Sequence, residues 1–131
     1  LSCEKRRLTT TAFTQSSELD TDALCSDTEE IKAYEEDPLV HDKISAGLFF
    51  TVYSAGLWAL ENADKLSIPG LLTHGDQDAL TSHEASKEFA TRAGDNLEYK
   101  LWEGLKHEPH NEPEKDKVFQ LLTDWVLLRI G

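Results

Sequence analysis

The sequence of 131 residues contains no methionine. A translated chain begins with methionine, and removal of that residue requires a small second residue, which Leu1 is not. We therefore expect the sequence to be a processed chain or a part of something longer. Some of the machinery for its function would then lie upstream of Leu1.

Basic residues are scarce. The chain carries 13 Lys and Arg against 25 Asp and Glu, which gives a formal net charge of −12. The longest basic cluster is Lys5-Arg6-Arg7. An acidic surface repels phosphate backbones, so the composition argues against a nucleic-acid partner.

Cysteine and long apolar runs are also scarce. Cys3 and Cys25 allow at most one internal disulfide. So few cysteines are typical of a cytoplasmic protein, in which both thiols are reduced. No signal peptide is predicted at the start, because the charged residues 4–7 are followed by polar ones. The uncharged run of residues 44–60 is at the lower limit for a spanning helix and contains polar side chains. We expect it to be a helix buried in protein or touching a lipid surface.

The first half of the chain predicts two helices. Residues 1–17 show no period and predict a loop. Ser26 or Asp27 can cap a short helix that ends at Asp37, before Pro38. Apolar residues at helical spacing predict a long helix over residues 41–63.

The second half predicts strand, helix, strand and helix. An apolar run over residues 70–74 predicts a strand buried on both faces. Thr81 and Glu84 fit a capping box for the next helix, residues 97–102 alternate as a strand does, and Asn111 can cap the last helix. This order predicts a parallel βαβ unit. Two strands do not form an independent sheet, which again points to a missing half.

Asp78 and His107 each lie just beyond one of the two predicted strands. The carboxyl ends of parallel strands meet at one edge of a sheet, so we expect the two side chains in one crevice. An aspartate that binds a histidine ring fixes its tautomer, and the histidine then serves as base and acid near neutral pH. On spacing alone, a solvated turn aspartate and a loop histidine remain an alternative.

A metal site is a second alternative. Candidate nitrogen and oxygen ligands cluster in the sequence, and such ligands suit zinc or another transition metal. These candidates are His74, Asp76, Asp78 and His83, together with His107 and His110. They do not form a recognised metalloenzyme spacing.

Two short segments resemble a known family. His74-Gly75-Asp76-Gln77-Asp78 and Gly104-Leu105-Lys106-His107-Glu108 resemble the α/β-hydrolase pattern HGxxD…GxxHE. Tyr34-Glu35-Glu36-Asp37-Pro38-Leu39 and Ile68-Pro69-Gly70-Leu71-Leu72 are similar to the monoacylglycerol lipase and lysophospholipase branch. The resemblance covers about residues 24–131.

The resemblance implies an α/β fold class, namely the C-terminal part of an α/β-hydrolase. Residues 1–60 would form a cap segment with an irregular start, and residues 61–131 the βαβα part of the core. Asp78 would be the acid and His107 the base of a catalytic triad, with no metal or organic cofactor. Val52, Leu57 and Trp58 of the cap would bind a lipid ester. The implied partners are that substrate, the missing N-terminal half, and a membrane or lipid-droplet surface touched by the cap.

The nucleophile elbow G-x-S-x-G of this family is absent. Ser45-Ala46-Gly47 and Ser54-Ala55-Gly56 each match the last three positions of this pattern. Both segments lie inside the predicted helix over residues 41–63. We therefore expect the nucleophile upstream of Leu1 and no activity of this chain alone. The alternative is a catalytically inactive interaction module that keeps the fold.

Overall fold

The computed structural model describes residues 13–130, which form four strands and four helices besides short 3-10 turns. The strands are β1 (Thr14–Ser16), β2 (Lys43–Ser45), β3 (Gly70–Gly75) and β4 (Leu97–Trp102). The helices are α1 (Thr28–Glu36), α2 (Ala46–Glu61), α3 (His83–Ala93) and α4 (Lys115–Ile130). β1 and β2 pair antiparallel, whereas β3 and β4 pair parallel.

The expected βαβ unit is confirmed. β3 and β4 lie in parallel register, from Gly70 opposite Leu97 to Gly75 opposite Trp102. α3 packs on both strands and buries Ala90 and Ala93. Because the two strands end side by side, the loops that follow them start at the same edge of the sheet.

The prediction that residues 70–74 are buried on both faces is wrong, because these residues are partly exposed. Within the described residues β3 pairs with β4 alone, so the two-stranded sheet has little to cover it. The apolar core of this part of the chain is correspondingly small. It consists of Leu24, Cys25, Ala63, Ala90, Ala93, Leu105 and Val118.

The prediction of one helix over residues 41–63 is also wrong at its start. Lys43–Ser45 is a strand, and α2 begins only at Ala46. The Ser45 hydroxyl caps α2 by accepting a hydrogen bond from the Leu48 amide at 3.1 Å. The strand forms because it pairs with Thr14–Ser16, which the sequence predicted to be a loop. Residues 1–12 of that predicted loop lie outside the described residues.

The start and the end of α1 agree with the sequence. Asp27 is the cap, and its side chain accepts a hydrogen bond from the Glu29 amide at 3.0 Å. Glu29 and Glu30 lie in the first turn, where the helix dipole stabilises negative charge. The helix ends at Glu36, and Asp37, the residue before Pro38, is its C-cap, as expected.

Two other predicted caps are wrong. Ser82, rather than Thr81, caps α3 by accepting a hydrogen bond from the Ala85 amide at 3.1 Å. Asn111 lies in a 3-10 turn, and its side chain donates to Glu108 Oε2 at 2.8 Å. α4 starts only at Lys115, after Pro113. Instead of capping a helix, Thr81 and Asn111 each bond to a neighbouring loop residue.

α2 exposes a large apolar surface. None of its residues is buried, and Phe49, Phe50, Tyr53 and Trp58 are more than half exposed. The described residues therefore do not bury this helix. Over residues 13–130, no helix combines the length and the apolar character needed to cross a bilayer.

Gly75 provides a test of how closely the two loops pack. A Cβ at this position would lie 2.2 Å from the carbonyl oxygens of Leu105 and Lys106. We expect Gly75→Ala to lower the free energy of unfolding by roughly 1–3 kcal/mol, because the backbone must shift. Gly56→Ala is the control, since a Cβ there meets nothing within 4 Å. In a helix that change favours folding by up to about 1 kcal/mol. Urea unfolding of the wild type and of both variants measures these changes. Equal unfolding midpoints for Gly75→Ala and the wild type would contradict the close approach.

Candidate active site

The loops after β3 and β4 are bonded to each other. The Asp76 amide donates to the Trp102 carbonyl at 2.9 Å, and the Gln77 amide donates to the Leu105 carbonyl at 2.9 Å. In return, the Gly104 amide donates to Asp76 Oδ1 at 2.7 Å. These bonds hold the two loops in one arrangement, with Asp78 on the first and His107 on the second.

The Asp78 carboxylate is buried at the centre of this arrangement, with its side chain only 1% exposed. Its Oδ1 accepts hydrogen bonds from the amides of Leu80 at 2.7 Å and Thr81 at 3.0 Å. The Thr81 hydroxyl donates to Oδ2 at 2.7 Å. The turn of residues 78–81 therefore folds around the carboxylate and fixes its orientation.

His107 lies within hydrogen-bond distance of Asp78, as the sequence predicted. Its Nδ1 is 2.9 Å from Asp78 Oδ2. The ring is 34% exposed, so it lies at the surface of the site. Because Nδ1 binds the carboxylate, proton transfer at this ring falls to Nε2. The roles of acid and base remain a prediction from the sequence.

A second histidine shares the same carboxylate oxygen. His74 Nε2 is 2.8 Å from Asp78 Oδ2, and its Nδ1 is 2.8 Å from the Ser86 hydroxyl. If Ser86 donates to Nδ1, the ring proton is on Nε2 and is donated to Asp78. The sequence indicates His74 only as a candidate metal ligand and as the first residue of the HGxxD segment. The spacing of four residues between His74 and Asp78 could have indicated their contact. No local pattern could have indicated the contact between His74 and Ser86, because Ser86 lies on α3.

The pKa of Asp78 lies well below its ordinary value. Burial alone would raise this pKa, but hydrogen bonds from His107, from the Thr81 hydroxyl and amide, and from the Leu80 amide outweigh it. Asp78 is therefore ionised at neutral pH.

The metal alternative finds no support in the geometry. Across residues 13–130, no group of three or more His, Cys, Asp or Glu side chains is arranged to hold a metal ion. Asp76 is bonded to the Gly104 amide, and His83 lies 3.2 Å from Glu84. His110 is exposed.

An apolar cavity of about 630 Å³ lies between α2 and α3 and adjoins the Asp78 turn. Val52 and Leu57 line it from α2, Phe89 lines it from α3, and Leu80 lines it beside Asp78. Trp58, the third residue predicted for the cap, is outside this lining and is 64% exposed. The structure thus brings two of the three predicted cap residues to the candidate site.

The low pKa of Asp78 predicts a pH-dependent effect of Asp78→Asn on stability. Because the folded-state pKa is lowered, the ionised group stabilises the fold above its unfolded pKa of about 3.9 and loses this effect as pH falls below it. We expect the loss in the free energy of unfolding caused by Asp78→Asn to shrink as the pH falls from about 5 towards 3. Urea unfolding of the wild type and of Asp78→Asn over this pH range measures the loss, and Asp95→Asn, at an exposed position, is the control. A pH-independent difference would contradict the assignment.

Comparison with known proteins connects this site to a family. Residues 3–114 match the family model described as serine aminopeptidase, S33. A monoacylglycerol lipase of Mycolicibacterium smegmatis is 36% identical over 111 residues, or 83% of this chain.

Solved structures show the same relationship. The monoacylglycerol lipase of Paleococcus ferrophilus superposes with a TM-score of 0.85 at 29% identity over 91% of this chain. A soluble variant of the monoglyceride lipase of Saccharomyces cerevisiae gives a TM-score of 0.77 at 20% identity over 88% of the chain, which supports the fold alone. These likenesses confirm the expected α/β-hydrolase fold class.

The chain spans less than half the length of these proteins. It covers 40% of the Mycolicibacterium smegmatis lipase, 47% of the Paleococcus ferrophilus chain and 44% of the yeast chain. The match therefore concerns only part of each relative's fold.

Proposed function

The chain belongs to the serine aminopeptidase, S33, family of hydrolases, and on that premise we propose that it supplies the acid and the base of a serine hydrolase acting on carboxylic esters. The observation that carries this proposal is the contact of 2.9 Å between Asp78 and His107 at the carboxyl edge of a parallel sheet. Because similar proteins are monoacylglycerol lipases, the proposed substrate is a monoacylglycerol or a similar lipid ester.

In the proposed acylation step, a serine Oγ attacks the ester carbonyl carbon and His107 Nε2 accepts the hydroxyl proton. The bond from carbon to the leaving alcohol oxygen then breaks, and His107 returns the proton to that oxygen. Water next attacks the acyl-serine, with His107 as base, and the carboxylic acid leaves. Throughout, ionised Asp78 holds Nδ1 and stabilises the transient imidazolium.

The serine for this reaction is proposed to come from a segment that this sequence does not include. Ser45 is extended, with φ −88° and ψ 147°, and caps α2, while Ser54 lies within that helix. Among the described non-glycine residues, only Glu18 has a positive φ, so no described serine has the left-handed backbone of a strained turn. The oxyanion-binding amides would come from the same missing segment.

We further propose that α2 belongs to the cap and binds the acyl chain. Val52 and Leu57 line the apolar cavity beside Asp78, which supports this role. Phe49, Phe50 and Trp58 are exposed, which supports peripheral contact with a membrane or lipid-droplet surface. The division into a cap of residues 1–60 and a core of residues 61–131 remains a prediction.

We expect this chain alone not to hydrolyse esters at an enzymatic rate. Loss of a single oxyanion donor costs about 100-fold or more, and the members of a triad act as a unit. Addition of a nucleophile-bearing segment should give turnover of a monoacylglycerol and of a chromogenic short-chain ester, and His107→Ala should abolish both. Steady-state assays of the chain with and without the segment measure this.

Two outcomes would contradict the proposal. Turnover that survives His107→Ala but is lost on Ser45→Ala, Ser54→Ala or Ser86→Ala would place the nucleophile within this chain. Absence of turnover with a segment that carries G-x-S-x-G would favour the inactive interaction module.

Replacement of Leu57 by aspartate in the active enzyme tests the acyl-chain role. A charge in the cavity should weaken turnover of a long-chain ester more than that of a short-chain ester. Losing the burial of two acyl methylenes, at about 0.8 kcal/mol each, corresponds to roughly a tenfold loss of kcat/KM. Leu39→Asp is the control, because Leu39 is 89% exposed and lies away from the cavity lining. Equal losses for both esters would indicate that α2 is merely structural.

A further inference from the structure

Glu112 is a buried carboxylate with no part in the chemistry described above. It is 1% exposed. Its Oε1 accepts a hydrogen bond from the Lys106 amide at 2.8 Å, and its Oε2 accepts one from the Ser26 amide at 2.8 Å. Burial of a charge is costly unless it is hydrogen-bonded, so both bonds are needed to keep it there.

The two amides that bind Glu112 belong to segments that are far apart in the sequence. Lys106 immediately precedes His107 in the loop after β4. Ser26 lies 80 residues earlier in the sequence and immediately precedes Asp27, the cap of α1. One side chain therefore connects the histidine loop to the start of the first helix.

Other bonds connect the same two segments. The Glu108 amide, on the other side of His107, donates to the Leu24 carbonyl at 2.8 Å. Lys106 Nζ donates to the carbonyls of Asp22 at 2.7 Å and Cys25 at 3.1 Å. Both sequence neighbours of His107 are thus held by residues 22–26 or by Glu112.

We propose that Glu112 is a positioning residue, which together with residues 22–26 fixes the backbone on both sides of His107 and keeps its Nδ1 within reach of Asp78. This inference rests on the proposed function for its kinetic consequence. The Asp78 carboxylate is itself fixed by its own turn, so the contact of 2.9 Å depends on where the second loop is held. A displacement of about 1 Å at such a contact can cost 100-fold in rate.

Glu112→Gln is the most direct test. Glutamine keeps the volume, but its amide NH₂ must face one of the two backbone donors, so one bond is lost. In the enzyme that carries its nucleophile segment, we expect kcat to fall roughly 10- to 100-fold, with a much smaller change in KM. Glu114→Gln removes the same charge at an exposed position two residues away and should stay within about twofold of the wild type.

NMR of the histidine ring nitrogens provides a readout that a merely structural role would not change. In the wild type, His107 should be one tautomer with its proton on Nδ1. In Glu112→Gln we expect a mixture of tautomers, and in Glu114→Gln the wild-type pattern. A lower unfolding temperature with unchanged kcat and tautomer would overturn the proposal.

Two further measurements keep the test decisive. If Glu112→Gln does not fold, Lys106→Met removes the ammonium bonds to residues 22–26 and should still lower kcat, and an unchanged kcat would overturn the proposal. If the wild-type enzyme shows no ester hydrolysis, the proposed function fails, and the tautomer of His107 in the Glu112 variant then decides the positioning role by itself.

Discussion

The buried carboxylate of Asp78 determines how the functional edge of the sheet is built. A charge with a side chain only 1% exposed is stable there because backbone amides, a hydroxyl and two imidazole rings surround it. The amide bonds shape the turn that carries it, and the ring bonds bring His74 and His107 together. The position and the ionisation of the Asp78 carboxylate thus have the same cause, because the bonds that orient it also keep it charged.

The histidine loop is fixed from several sides. Gly75 lets the backbone of β3 approach the carbonyls of Leu105 and Lys106, and Asp76 binds the start of the loop. Glu112 holds its middle against the segment that leads into α1. Residues 22–26 are thus bonded to both sequence neighbours of His107, to Lys106 through its ammonium group and to Glu108 through its amide.

The exposed apolar surface of α2 has a different origin from the polar network. The core of the described residues is small, and α2 borders an apolar cavity on one side while most of its aromatic residues are exposed. An apolar helix in this position is consistent with the proposed contacts to an acyl chain and a lipid surface. The start of α2 was hard to predict, because Ile44 continues the hydrophobic periodicity of the helix although it lies in strand β2.

The sequence by itself determined the βαβ order and the residues at the carboxyl ends of β3 and β4, and it narrowed the cap of α1 to Ser26 or Asp27, because these depend on local patterns of burial and capping. It also indicated the Asp78–His107 pair, since parallel strands place their following loops at one edge. Only the tertiary structure decided that Ser45 ends a strand, that Ser86 binds the His74 ring beside Asp78, and that Glu112 connects two distant segments. Those roles depend on hydrogen bonds between residues far apart in the chain, for which local spacing carries no signal.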